Sequence, residues 1–87
     1  MKESHLLTDS EKLDAALRTA LGLPEDMKLA GIAYGRTDGW DSIAHMQLVA
    51  AVENAFGIML ETEDVIAMSD YHAICRILRD HDVAIDA

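Results

Sequence analysis

The chain has 87 residues, with 16 Asp and Glu against 7 Lys and Arg, for a formal charge of −9. That length predicts one domain over residues 1–87, with no room for both a core and a walled catalytic pocket, so a binding or carrier module is expected rather than an enzyme. The acidic balance argues against nucleic-acid and anionic-membrane partners, which are gripped by Lys and Arg, and 51% apolar content excludes a disordered acidic tail.

One proline, Pro24, and few β-branched runs predict an all-α domain. Thr8-Asp9-Ser10-Glu11 fits a capping box, in which Thr8 caps a backbone donor and Glu11 reaches back. Leu13, Leu17 and Leu21 then line one face, with Ala16 and Ala20 beside them. Gly22 supplies a left-handed stop and Pro24 prevents continuation, so the first helix is read over 9–21. Residues 22–41 read as a long connection anchored by Leu23, Met27, Leu29, Ile32 and Tyr34. Its Gly31, Gly35 and Gly39 are spaced four apart, which is not a dinucleotide-binding pattern, and they read as turn residues.

The second helix is read from Ser42 to Ala55 or Phe56, stopped by Gly57. Thr62 reads as the cap of a short third helix through Ala67, with Glu63 and Asp64 at its positive end. Ser69-Asp70 offers a cap for a fourth helix, whose core face is Tyr71, Ile74, Cys75 and Leu78. The pattern is lost after that, so 81–87, like 1–7, is expected to be a loosely ordered end. The expected architecture is a four-helix bundle of three longer helices and one short one, with a long first loop.

On a wheel of about 100° per residue, the second helix carries two apolar groups. Leu48, Val49, Val52 and Phe56, flanked by Ala44, Ala51 and Ala55, form the core face. Ile43, Met46 and Ala50 fall opposite, among Gln47, Glu53 and Asn54. This second stripe reads either as scattered surface residues or as a contact patch beside Ser42. Ser42 opens the helix after Trp40 and Asp41, and it reads either as a helix cap or as a serine presented at a positive helix end, where a phosphodiester is favoured. A hydrolase reading of Asp41, Ser42 and His45 fails, because Gly39-Trp40-Asp41-Ser42-Ile43 is not G-x-S-x-G and no oxyanion loop is visible.

His45 falls on the core side and is expected to be hydrogen-bonded and partly buried. His5, His72 and His81 are too scattered for a metal site, and Glu61, Glu63 and Asp64 lack the alternation and glycine of a calcium loop. Cys75 cannot form an internal disulfide and reads as a small hydrophobe. The longest strictly apolar run, Leu48 to Val52, is far short of the roughly 20 residues a membrane span needs. Met1 to His5 does not open a secretory signal, so the cytoplasm is the expected compartment.

The run Gly39-Trp40-Asp41-Ser42-Ile43-Ala44-His45-Met46-Gln47-Leu48-Val49, followed by Glu53-Asn54-Ala55-Phe56-Gly57-Ile58, resembles the central motif of acyl and peptidyl carrier proteins. The family's Asp-Ser-Leu appears here as Asp41-Ser42-Ile43, and the resemblance extends over nearly the whole chain. It implies that Ser42 bears a 4′-phosphopantetheine arm, delivered from coenzyme A by a separate phosphopantetheinyl transferase. The arm's thiol, not Cys75, then holds acyl or aminoacyl groups as thioesters for loading and processing enzymes. It further implies a carrier with no catalytic residue of its own, with Asp41 read by the transferase and helix two docking partners. The second stripe, Ile43, Met46 and Ala50, together with Glu53, is the expected docking surface, and a monomer is expected.

One departure bears on the pathway. Fatty-acid carriers have several acids along helix two, whereas this one has only Glu53 between Ile43 and Phe56, with His45, Gln47 and Asn54 where carboxylates are frequent. The departure shifts the expectation toward polyketide, nonribosomal peptide or other specialised, fatty-acid-related pathways. The alternative is an unmodified, carrier-like adaptor acting only through protein contacts.

Overall fold

Thr8 starts the first helix, α1 (Asp9–Leu21), in the manner its sequence predicts: its hydroxyl accepts from the Glu11 amide and its own amide donates to the Glu11 carboxylate. Gly22 ends α1 in the left-handed conformation. These residues belong to a computed structural model that describes residues 8–85. The expected loose segment 1–7 lies outside the described residues, as do 86 and 87.

Three further helices follow: α2 (Ser42–Phe56), α3 (Thr62–Ala67) and α4 (Tyr71–Asp80). Among the described residues the fold is all-helical, with no strand, in a four-helix arrangement. No helix among them is long and apolar enough to cross a membrane. α2 ends at a left-handed Gly57, and Asp70 caps α4 by accepting from the Ala73 amide at 2.8 Å. The cap of α3 differs from expectation. It is Glu61, one residue before Thr62, with the Glu61 amide donating to Asp64.

The core is built from the predicted faces. Leu13, Leu17 and Leu21 of α1 pack with Leu48, Val49 and Val52 of α2 and with Ile74, Cys75 and Leu78 of α4. Phe56 is half-buried, with the Lys12 ammonium 5.4 Å above its ring. Tyr71 ties α4 to α1 by donating its hydroxyl to Asp14 at 2.8 Å. Burial, reinforced by Asp14, pushes this phenol up, so the hydroxyl stays a donor through the physiological range. Burial likewise pushes the Cys75 thiol up, which leaves it an inert core side chain rather than a nucleophile.

Two expectations are corrected here. The Met27 and Tyr34 side chains are exposed and do not serve as core anchors of the 22–41 connection; Leu29, Ile32 and Trp40 do so, with Leu23 half-buried beside them. Leu29 lies in a 3₁₀ turn (Leu29–Gly31) packed against α4, while Arg18 holds the start of the connection by donating to the Pro24 and Met27 carbonyls. The end after α4 is also not loose over its described part. A left-handed Asp82 turns the chain back, and Val83 and Ile85 are buried in the core. Helical periodicity cannot show this, because these residues are buried from an irregular segment. Ile85→Ala should therefore cost about 2 kcal/mol, the low end for a buried isoleucine, measurable by urea denaturation. An unchanged midpoint would return the segment to a loose end.

A charge of −9 also makes a global prediction. Self-repulsion destabilises the folded form at low ionic strength and salt screens it, so Tm near neutral pH should rise from low to moderate salt. A flat or falling Tm would mean that the charges are locally compensated.

Candidate functional site

Residues 33–41 form a closed turn that delivers the chain to α2. The Arg36 and Thr37 amides donate to the Ala33 carbonyl, the Trp40 amide to Thr37 and the Gly35 amide back to Trp40. The Thr37 hydroxyl accepts from the Ala33 amide at 2.9 Å. The turn is fixed to the body by the Tyr34 amide donating to Ser69 and by an antiparallel bridge between Ala33 and Asp70. Gly39 is required where it stands. Its φ is 90°, and a β-carbon there would lie 2.9 Å from the Leu21 carbonyl oxygen.

Trp40 is the anchor of this turn, only 1% exposed. Its indole N–H donates to His45 Nδ1 at 3.0 Å, and the two rings lie nearly parallel with centroids 6.0 Å apart. Tyr34 meets the His45 ring edge-on at 5.3 Å. His45 Nε2 lies 2.8 Å from the Val65 carbonyl of α3. The imidazole is thus half-buried and bonded at both nitrogens, which matches its expected place on the core side.

With the turn set, Asp41 takes the cap of α2: its carboxylate accepts from the Ala44 amide at 2.9 Å. This corrects the reading of Ser42 as a cap. Ser42 is instead the first helical residue, exposed, with its hydroxyl outside the capping hydrogen bond. It stands at the rim of an open depression of about 390 Å³ between Tyr34 and Ser42, whose charged lining residues are Arg36, Asp38 and Asp41. Backbone amides of the first helical turn and the helix dipole make this end of α2 favourable for a negative group. Neither neighbour is placed to activate the hydroxyl. His45 has no nitrogen left over, and Asp41 holds the cap.

The residues of the second stripe are exposed: Ile43 is 71% accessible, Met46 60%, and Ala50 faces solvent with Gln47 and Asn54. Glu53 is set apart from them. Half-buried, it accepts from the Leu60 amide at 2.8 Å and so holds the segment between α2 and α3. Two further apolar side chains of that region are exposed without any sequence periodicity to mark them, Met59 at 80% and Ile66 at 76%. Ile66 lines a second groove of about 240 Å³, together with Tyr34, His45, Val65, Met68 and Ser69. Tyr34 is the wall shared by both depressions. Its sequence neighbours gave no sign of this, because the second groove joins the loop to α3 across more than 30 positions.

Among the described residues, no group of three or more His, Cys, Asp or Glu could hold a metal ion. No protein-family model, curated protein or solved structure matches this chain.

Proposed function

We propose that this chain is a carrier whose Ser42 hydroxyl bears a 4′-phosphopantetheine arm through a phosphodiester, and whose arm thiol holds acyl or aminoacyl groups as thioesters. The observation that carries this reading is the division of labour at the start of α2. Asp41 performs the capping, so the adjacent Ser42 is left exposed at the positive helix end with no structural task. A serine used only as a cap would occupy the Asp41 position. The absence of an available base beside Ser42 fits modification by a separate transferase, which supplies activation itself. The inert, buried Cys75 is no competitor for the thioester. The helix order and the Asp41-Ser42-Ile43 motif add to the reading, through the resemblance to acyl and peptidyl carrier proteins.

The test is intact mass after incubation with coenzyme A and a broad-specificity phosphopantetheinyl transferase. One phosphopantetheine addition per chain is expected, and no addition would refute the reading.

The exposed stripe on α2 supports partner contact that is apolar rather than acidic, in keeping with a specialised polyketide, nonribosomal peptide or fatty-acid-related pathway. Burying an isoleucine at an interface contributes about 1.5–3 kcal/mol, and methionine adapts to differently shaped surfaces. Met46→Glu or Ile43→Asp should therefore reduce transfer from the cognate loading enzyme by about tenfold or more. Tm should change little, because both side chains already face water. A large loss of stability with transfer intact would remove the patch from the docking surface. Glu53, with Asp41, orients the encounter, and one of its carboxylate oxygens also accepts from the Leu60 amide.

A further inference from the structure

The short helix α3 is fastened in an unusual way. None of its six residues is fully buried; Val65 packs half-buried against the core, and Met68, just past the helix, is buried. Two imidazoles fasten it as well. His45 of α2 reaches the Val65 carbonyl at 2.8 Å, and His81, just past α4, reaches the Asp64 carboxylate at 2.9 Å.

The two contacts require opposite protonation states. Trp40 Nε1 is only a donor and the Val65 carbonyl only an acceptor, so His45 must present a bare Nδ1 to the first and an Nε2–H to the second. That is the neutral ring. A proton on Nδ1 sets one N–H against another. Trp40 is buried and cannot retreat, so the His45 ring must give way. Its bond to Val65 then goes with it, because both bonds leave the same rigid ring. The His81–Asp64 contact, by contrast, gains charge attraction when His81 is protonated. His81, with the Glu61 amide, holds the Asp64 carboxyl below the usual carboxylate range. With a lowered folded value, this contact survives acidification until pH falls through that value.

The groups facing each ring are few. Tyr34 from the loop is the titratable group against His45, while Asp41 on its own helix is turned to the Ala44 amide. Asp64 of α3 faces His81, whose chain neighbours include Asp80 and Asp82.

We propose that α3 is a pH-sensitive flap: protonation of His45 frees it from α2, and it swings about the His81–Asp64 contact to widen the groove between Tyr34 and Ile66. Val65 and Ile66 of α3 line that groove together with Tyr34 and His45, so movement of α3 changes its shape directly. The proposal does not rest on the carrier reading, since it concerns the unmodified chain.

The experiment is a titration of the whole ¹⁵N-labelled chain from neutral pH downward until the His45 ring signals show protonation. It follows the histidine ring signals, the hydrogen-exchange protection of the Val65, Ile66 and Ala67 amides, and the fluorescence of Trp40, the one tryptophan. Protection in α3 should fall about tenfold, and Trp40 emission should change, both with the midpoint of the His45 ring. In His45→Gln, the amide can accept from Trp40 and donate to Val65 without titrating, so the step should vanish. In His81→Gln it should persist. If His45→Gln does not fold, the wild-type curves decide, because coincidence of the α3, Trp40 and His45 midpoints is required. Protonation of His45 with α3 protection unchanged, or a step that persists in His45→Gln, overturns the proposal.

Discussion

Ser42→Ala is expected to take up no phosphopantetheine at all while melting within about 4 °C of the parent. The second half of that expectation comes from the cap assignment. Because Asp41 accepts from the Ala44 amide, removing the Ser42 hydroxyl takes away no capping bond, and a surface change of this kind stays within about 0.5 kcal/mol. At about 4–8 °C per kcal/mol for a domain of this size, the melting shift is small. Asp41→Ala is the informative partner. It removes the cap and should cost about 1 kcal/mol, hence a fall of about 4–8 °C, with Ser42 still present. The pair separates two roles that adjacent residues could share. If Ser42→Ala lost the stability and Asp41→Ala did not, Ser42 would be the structural residue and the argument for an unoccupied hydroxyl would collapse. Mass addition that persisted in Ser42→Ala would place the attachment elsewhere.

Local chemistry accounts for the elements the sequence makes legible. The Thr8–Glu11 box, the left-handed Gly22 and Gly57, and the Asp70 cap each involve residues a few positions apart, so their signals survive without tertiary knowledge. The two stripes of α2 are legible for the same reason, since a helix converts spacing into faces. The choice of cap was not. Ser42 and Thr62 are good capping residues, yet α2 is capped by Asp41 one place earlier, and the cap position of α3 is Glu61, whose amide donates to Asp64. That one-position difference is decided by where the preceding turn leaves the chain, and for α2 the turn is set by Gly39 against Leu21 and by Trp40 in the core. The same limit hides the site's surroundings. Glu53 bonding Leu60, His45 reaching Val65 and Val83 with Ile85 closing the core all join segments whose relative placement no periodicity encodes.

Trp40→Ala is the substitution expected to damage the fold most. The side chain is the largest fully buried one, it lies in the core with Leu48 and Met68, and it joins the 33–41 turn to α2 through its bond to His45. Truncating a buried tryptophan costs about 3–5 kcal/mol, against a total stability of about 4–13 kcal/mol for a chain of this length. Tm should fall by at least about 12 °C, and a substantial unfolded fraction at room temperature is within that range. Trp40→Phe divides the effect. It keeps most of the ring but no N–H, so the cost is a partly filled cavity and a His45 Nδ1 without its donor, about 1–3 kcal/mol. The phenylalanine variant should therefore fold, yet show weaker exchange protection in α3, because the ring that holds Val65 is no longer held by Trp40. Attachment to Ser42 should slow in it as well, since Asp41 and Ser42 follow directly from the loosened turn. A Trp40→Ala chain that melted near the parent would show that the turn is positioned by its own hydrogen bonds, and that the tryptophan merely rests on it.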